Sequence, residues 1–482
     1  MPKRVAVIDL GSNSARVVIF ERTSRLGFFI LAEHKIKIRL GEGAYENGGI
    51  LTPEAMQKCL LAFKKFKTLV CNYKAKRVLC IGTSALRDAP NGAEFINLVR
   101  KQTGITIRKI DGQTEAYLGA YAAQNLLSDF SEGVTLDIGG GSTELAYIKN
   151  GRIENKISLN LGTVRLKELF FDRGDTKGLE KYINSAISQL GAEFRTQNLI
   201  VMGGSARALS GAVMSLQNHP LKIVHNFSYD YEKYAPFFAK LMSAKTLDLA
   251  KFPIKKDRYD TIREGAIIFD KIVRRLGAKK IITSGVGVRE GAFLSSILRG
   301  ANLPRGFNPS LRSLKDRFAS EPSEAPKFAK ALFCTLSPLH GLSEKYIKIL
   351  QTAASLCEIG RAIGFYAKHE TSADMVLGGL NYRTTHKEKA LIAAIISMHG
   401  KRELGATFAP LSAILPDAAK LAWLSYILEL ARLLSENALK NLEFSFENST
   451  LKISGADNLI MLKGSLKKLA KPAIFAVNFV SI

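Results

Sequence analysis

The sequence is short of cysteine, tryptophan and acid. Its five cysteines (Cys59, Cys71, Cys80, Cys334, Cys357) are odd in number and form no Cys-x-x-Cys pair, which argues against a disulfide framework and the common zinc spacings. They sit in apolar segments and read as reduced core thiols of a cytoplasmic protein. No stretch approaches ~18 uninterrupted apolar residues; the best, residues 418–434, is broken by Lys420, Glu429 and Arg432. The opening Met1-Pro2-Lys3-Arg4 leads into an apolar run too short for a signal-peptide core, so neither export nor a membrane partner is expected. Only 43 Asp and Glu face 69 Lys and Arg, a formal charge of +26 over 482 residues. Most of that excess lies ahead of Pro309, in foldable sequence rather than a tail, and calls for a polyanionic partner or a role in solubility. With 46% hydrophobic residues the composition is globular, and the length suits two to four domains.

A repeat is the most informative feature present. Val5-Ala-Val-Ile-Asp9-Leu-Gly-Ser-Asn-Ser14 and Val134-Thr-Leu-Asp137-Ile-Gly-Gly-Gly-Ser142 each carry an apolar strand ending in Asp, then an aliphatic residue, Gly and small residues closing on Ser. A second strand-like run follows each, so each predicts a β-hairpin with a Gly- and Ser-rich turn. Further on, Arg77-Val-Leu-Cys-Ile-Gly-Thr-Ser84, Asn198-Leu-Ile-Val-Met-Gly-Gly-Ser205 and Lys280-Ile-Ile-Thr-Ser-Gly-Val-Gly287 are short apolar strands, each delivering a small-residue loop and a helix. That is the pattern of strands buried on both faces. Thr52-Pro53 caps a helix whose Met56, Leu60, Phe63, Phe66 and Val70 follow helical spacing, and Lys64, Lys65 and Lys67 beside them read as a solvated face. Prolines 304, 309, 322 and 326 mark a linker over residues 303–326. Beyond it, helices are expected near residues 346–363, 386–398 and 417–437, then strand-like alternation from residue 442, with a short helix near 465–470.

Two glycine-rich turns facing each other across a cleft can hold a chain of phosphates on backbone N–H groups, and an Asp at the mouth of each suits Mg²⁺, a cation that prefers oxygen. Either turn alone is an ordinary hairpin; the matched pair is what points to phosphate.

Together, Asp9-Leu-Gly-Ser-Asn13, Gly82-Thr-Ser-Ala-Leu-Arg87, Ile110-Asp-Gly-Gln-Thr-Glu115, Asp137-Ile-Gly-Gly-Gly-Ser-Thr-Glu144, Met202-Gly-Gly-Ser205 and Ser284-Gly-Val-Gly287 resemble the exopolyphosphatase and guanosine pentaphosphate phosphatase family, in the superfamily of actin, sugar kinases and heat-shock ATPases. The resemblance runs from residue 5 to about residue 300. It implies an α/β fold with a duplicated two-lobe, ribonuclease H-like core: residues 1–125 and 126–305 as lobes, 306–437 as a mainly helical, degenerate HD-like domain, and 438–482 as a small α/β segment. The implied reaction is Mg²⁺-dependent release of terminal phosphate from inorganic polyphosphate, with guanosine pentaphosphate as the alternative substrate, or both activities in the same site. Glu115 is the implied general base and Glu144 a second catalytic carboxylate. Ser12, Asn13, Arg87, Gly139, Gly140, Gly141, Ser142, Gly204 and Ser205 would bind phosphate, and Asp9, Asp137 and Glu144 a Mg²⁺ or another divalent cation. Lys156, Arg165 and Lys167 either extend the phosphate track or form a solvated face. A sugar-type kinase is disfavoured because Glu115 supplies a base for water; a nucleic-acid reader is disfavoured because no reader motif accompanies the charge. A homodimer stays open. Where longer relatives carry the paired His-Asp of HD hydrolases, this chain has Cys357-Glu358, so no metal is expected there; His369, His386 and His399 read as structural or exposed.

Overall fold

The computed structural model describes residues 3–319, 323–436, 441–455 and 460–480, and the chain divides into two compact units. The first comprises residues 1–22 and 28–307, the second residues 23–27 and 308–482.

In the first unit, strands β1 (Arg4–Leu10), β2 (Ser14–Arg22), β3 (Phe28–Lys37), β4 (Arg77–Gly82) and β5 (Arg108–Lys109) form a sheet in the order β3-β2-β1-β4-β5. Strands β6 (Glu132–Ile138), β7 (Thr143–Lys149), β8 (Arg152–Leu159), β9 (Asn198–Met202), β10 (Ser228–Asp230) and β11 (Lys280–Thr283) form a second, ordered β10-β11-β9-β6-β7-β8. Read outward from β8, the second sheet repeats the first. In both, an antiparallel three-stranded meander is followed by two parallel strands, and the second sheet adds the antiparallel edge strand β10. The sequence duplication is therefore a duplication of topology.

Helices α1 (Pro53–Asn72), α2 (Ser84–Asp88), α3 (Gly92–Thr103), α4 (Gly112–Leu126), α5 (Thr163–Leu166), α6 (Thr176–Ser188), α7 (Gly203–Leu216), α8 (Tyr231–Ser243), α9 (Ile262–Leu276) and α10 (Val288–Leu298) complete this unit. Thr52 caps α1 by accepting a hydrogen bond from Ala55 N, with Pro53 in the first turn. Leu60, Phe63, Phe66 and Val70 are buried in the core under the first sheet, while Lys64, Lys65 and Lys67 are exposed. The second core, between β6, β9, β11 and helices α7 to α9, holds Leu136, Val201, Leu209, Phe238, Phe269 and Ile281. Two helices tie the halves together. Helix α4 lays Ala120 and Ala123 on Ala146, Ile148 and Ile200 of the second sheet. Phe293 of α10 stacks on Phe20 of the first sheet, ring centroids 4.3 Å apart. Each of the two loops entering these helices is thus anchored by packing on a sheet.

The second unit contains helices α11 (Pro309–Phe318), α12 (Ala325–Thr335), α13 (Ser337–His340), α14 (Lys345–Leu356), α15 (Lys368–Gly379), α16 (His386–Met398), α17 (Ala418–Glu436) and α18 (Ile460–Leu466), and a sheet of β12 (Glu443–Glu447), β13 (Thr450–Ser454) and β14 (Ala476–Val480). Three expectations are corrected here. The proline-marked stretch is not a linker throughout: Asn308 accepts from Ser310 N and Leu311 N, and Pro309 stands in the first turn of α11. Pro309 and Pro326 open helices instead of breaking them, Pro304 stays in the loop ahead of α11, and Pro322 lies outside the described residues. The late helix precedes the expected residues 465–470. Two of the five thiols, Cys71 and Cys334, are exposed rather than core. In place of a His-Asp pair, Glu358 is ion-paired with Arg361, Lys368 and Arg432. The rings of His369 and His399 stack at 3.5 Å, and His399 Nδ1 lies 2.9 Å from Glu429; His386 is buried.

Candidate active site

Asp9 and Asp137 are the next-to-last residues of β1 and β6, and the turns that follow face one another within the first unit. Gly140 and Gly141 pass so close to the first turn that a Cβ on Gly140 would lie 3.0 Å from Ser12 Cβ, and one on Gly141 would overlap Tyr45 Oη and Ser84 Oγ. No larger residue fits there. Thr163 N donates to Gly139 O at 3.1 Å, Val164 N to Gly140 O at 2.8 Å and Arg165 Nε to Gly141 O at 2.8 Å. With those carbonyls engaged on one side, trans peptide geometry sets the following N–H groups toward the other, as an anion cradle requires.

The turns border an open cleft with a cavity volume of about 150 Å³, lined by Asp9, Ser12, Asn13, Glu115, Asp137, Gly139, Gly140, Gly141, Ser142, Gly204 and Ser205. All the residues expected from the sequence line it except Arg87 and Glu144, which stand against lining residues. Arg87 Nη1 donates to Glu115 Oε2 at 3.0 Å and Nη2 to Ser142 Oγ at 3.4 Å. Glu144 is buried directly across the ladder from Asp137 and accepts from Ser158 Oγ at 2.7 Å. Asp111 caps α4, placing Glu115 in its first turn. Gly203, at φ +82°, begins α7; a side chain there would strike Asp137 Oδ1. The N-terminal amides of this long helix thereby open on the cleft.

Burial raises the Glu115 carboxyl well above the usual range, and the Glu144 charge adds to this against the opposing pull of Arg87. Glu144 is raised for the same first reason, resisted by hydrogen bonds from Ser142 and Ser158. Asp137 is pushed up to about 6 by burial, with Asp9 adding repulsion and Arg207 and Arg289 opposing it.

The cleft also holds Arg16, Lys35, Arg207, Arg258 and Arg289, none of which the motifs singled out. A signal existed: Ser14-Ala-Arg16 and Ser205-Ala-Arg207 repeat, and Gly287-Val-Arg289 resembles them, each placing Arg just after a small-residue turn. Lys156, Arg165 and Lys167 do not line the cleft. Arg165 is held by Asp88 at 2.7 Å, Lys167 by Asp172 at 2.5 Å, and Lys156 lies over the Tyr117 ring.

For a divalent cation, the donor chemistry fits. Asp9 and Asp137 line one cleft with serine hydroxyls, and the raised Asp137 carboxyl marks a place where added positive charge is favoured. Among the described residues no group of three or more His, Cys, Asp or Glu converges to hold a metal. A Mg²⁺ on the two aspartates would complete its shell with water and phosphate oxygens, its usual habit.

Duplicated sheets with paired glycine turns, a helix N-terminus and a set of arginines around two buried acids define a phosphoryl-handling protein. The Ppx/GppA phosphatase family model matches residues 18–300, and the chain belongs to that family, whose members are phosphoanhydride hydrolases. A bifunctional 3-dehydroquinate synthase/phosphatase of Fusobacterium nucleatum is 36% identical over 174 residues, 34% of this chain and only 26% of that protein. A guanosine-5'-triphosphate,3'-diphosphate pyrophosphatase of Pseudoalteromonas translucida is 25% identical over 82% of this chain and 80% of its own. The crystal structure of the Aquifex aeolicus Ppx/GppA family member superposes with a TM-score of 0.54 at 25% identity, over 63% of this chain and all of that one.

Proposed function

We propose that the chain is a Mg²⁺-dependent exopolyphosphatase, and that water activated by Glu115 attacks the terminal phosphorus of inorganic polyphosphate. The observation that carries this reading is the part-buried Glu115 on the wall of a cleft bounded by two glycine turns, steered by Arg87. A carboxyl whose basicity is raised by burial is a competent proton acceptor once ionised. Glu115 takes the proton of water, Arg87 holds its carboxylate in place and reaches toward the bound phosphate beside Ser142, and Glu144 orients the water and the Asp137 side. The turn amides and the amides of α7 bind the phosphoryl oxygens. Asp9 and Asp137 would hold the cation, which when bound offsets charge developing on those oxygens. The basic residues of the cleft suit a long polyanion. We further infer a cytoplasmic setting, in keeping with the free thiols, lobes at residues 1–125 and 126–305, a degenerate HD-like domain at 306–437 and a small α/β segment at 438–482.

Guanosine pentaphosphate is the second reading, favoured by the activity carried in the name of the relative aligned over 82% of this chain. Phosphate release from long polyphosphate and from guanosine pentaphosphate, side by side with and without Mg²⁺, separates the two. Mg²⁺-dependent release from polyphosphate at the higher kcat/KM is expected; release from the nucleotide alone would reverse the order, and release from neither would overturn both.

A further inference from the structure

Arg289 Nη1 donates to Asp9 Oδ2 at 3.1 Å, with the Arg289 side chain 11% exposed. Its Nε is buried and has no hydrogen-bond partner, a cost that a new acceptor would relieve. Beside it, Arg207 is taken up by the carbonyls of Ser284 and Val286 at 2.9 and 3.2 Å, so it is not free to take over Asp9. Arg16 stands opposite Asp9 across the β1–β2 ladder and is itself ion-paired with Glu33. Three guanidiniums therefore stand around two aspartates in one cleft, and the positive charges repel one another: Arg207 is lowered to about 10 by burial and then by the charge of Arg289. While Arg289 holds Asp9, a free cation entering the cleft finds that carboxylate already neutralised and a guanidinium beside it.

We propose that Arg289 is a positioning residue that occupies the cation's place at Asp9 in the substrate-free protein, so that a divalent ion is admitted to Asp9 together with phosphate rather than ahead of it. An incoming phosphoryl group offers the guanidinium new acceptors, including one for the orphaned Nε–H. As Arg289 turns to the phosphate, Asp9 is released to the ion. The order has a chemical use: the ion arrives paired with the oxygens whose charge it must offset, and a free ion is not stored in an idle cleft. This rests on the reading above that the cleft takes a divalent cation with phosphate, but its test does not depend on turnover.

The test is direct binding of Mn²⁺ to the full chain by titration calorimetry or electron paramagnetic resonance, without substrate. Arg289→Gln should bind Mn²⁺ at least ~10-fold more tightly than the unaltered chain, the scale expected when one close like charge is removed. Arg289→Lys, which keeps the charge, should remain within about threefold of it. The gain in Arg289→Gln should vanish when Asp9→Asn is added, and circular dichroism melts establish that each variant is folded. Inorganic phosphate alone should bind more weakly to Arg289→Gln than to the unaltered chain. Unchanged or weaker Mn²⁺ binding by a folded Arg289→Gln, or a gain that survives loss of the Asp9 carboxylate, would overturn the proposal. Failure of phosphate release with Arg289 intact would count against the functional reading and leave this result standing.

Discussion

Arg87 and Glu115 are joined by a 3.0 Å ion-paired hydrogen bond, and the contact has two opposed effects. It orients the carboxylate and pulls down a basicity that burial has raised. If Glu115 is the base, Glu115→Gln should lower kcat by ~10² or more while leaving polyphosphate affinity within a few fold, since general-base contributions run at ~10²–10⁴. Steady-state kinetics with a separate binding assay checks this.

The pH dependence follows from the same pair. Glu115 must be ionised to accept a proton, and its folded pKa is raised, so kcat/KM should climb with pH through that raised value and level off on the alkaline side. Removing the Arg87 charge takes away the factor that holds the pKa down. Arg87→Gln should therefore shift the rising limb to higher pH as well as raise KM. A limb unmoved by the substitution would assign it to another group.

Gly141 has no room for a side chain between Tyr45 and Ser84. Gly141→Val should weaken tripolyphosphate binding about tenfold or more, equivalent to roughly 1.4 kcal/mol, in a protein that still unfolds cooperatively. Full affinity in the folded variant would mean the turn is only a hairpin.

Salt separates long from short substrates. Arg16, Lys35 and Arg258 line the cleft with the cradle, and each neutralised phosphate releases counter-ions, so affinity for long polyphosphate should fall steeply with ionic strength and that for tripolyphosphate less so. Lys35→Gln should flatten the long-chain slope by roughly 0.7 for each phosphate that is no longer neutralised. Binding curves between low and physiological salt measure both.

The parts of the site built from backbone were legible in the sequence, because a glycine turn is written in consecutive residues. Asp9 and Asp137 could be matched along the sequence, and so could the hairpin and the later apolar strand of each half. What the likeness of the halves did not expose is their divergence at the next position. Asp9 faces Arg16 across its ladder and Asp137 faces Glu144 across the other, so the same register supplies a cation in one half and a carboxylate in its copy. Arg207 and Arg289 escaped notice for a different reason. They enter the cleft through tertiary packing of α7 and α10, Arg289 onto Asp9 and Arg207 onto the carbonyls of Ser284 and Val286, and the repeated Ser-Ala-Arg pattern gains its meaning only when the sheets bring it round. In the second unit, Pro309 and Pro326, read as chain breakers, occupy first helical turns, where their missing N–H costs nothing.

The most direct test of water attack at the terminal phosphorus is hydrolysis of polyphosphate in ¹⁸O-enriched water, with mass analysis of the first phosphate released. One ¹⁸O in the released phosphate and none in the shortened chain is the predicted result, with the labelled product reduced ~10² or more in Glu115→Gln. Label found in the remaining chain, phosphate released without label, or labelled release at an undiminished rate in Glu115→Gln would contradict it.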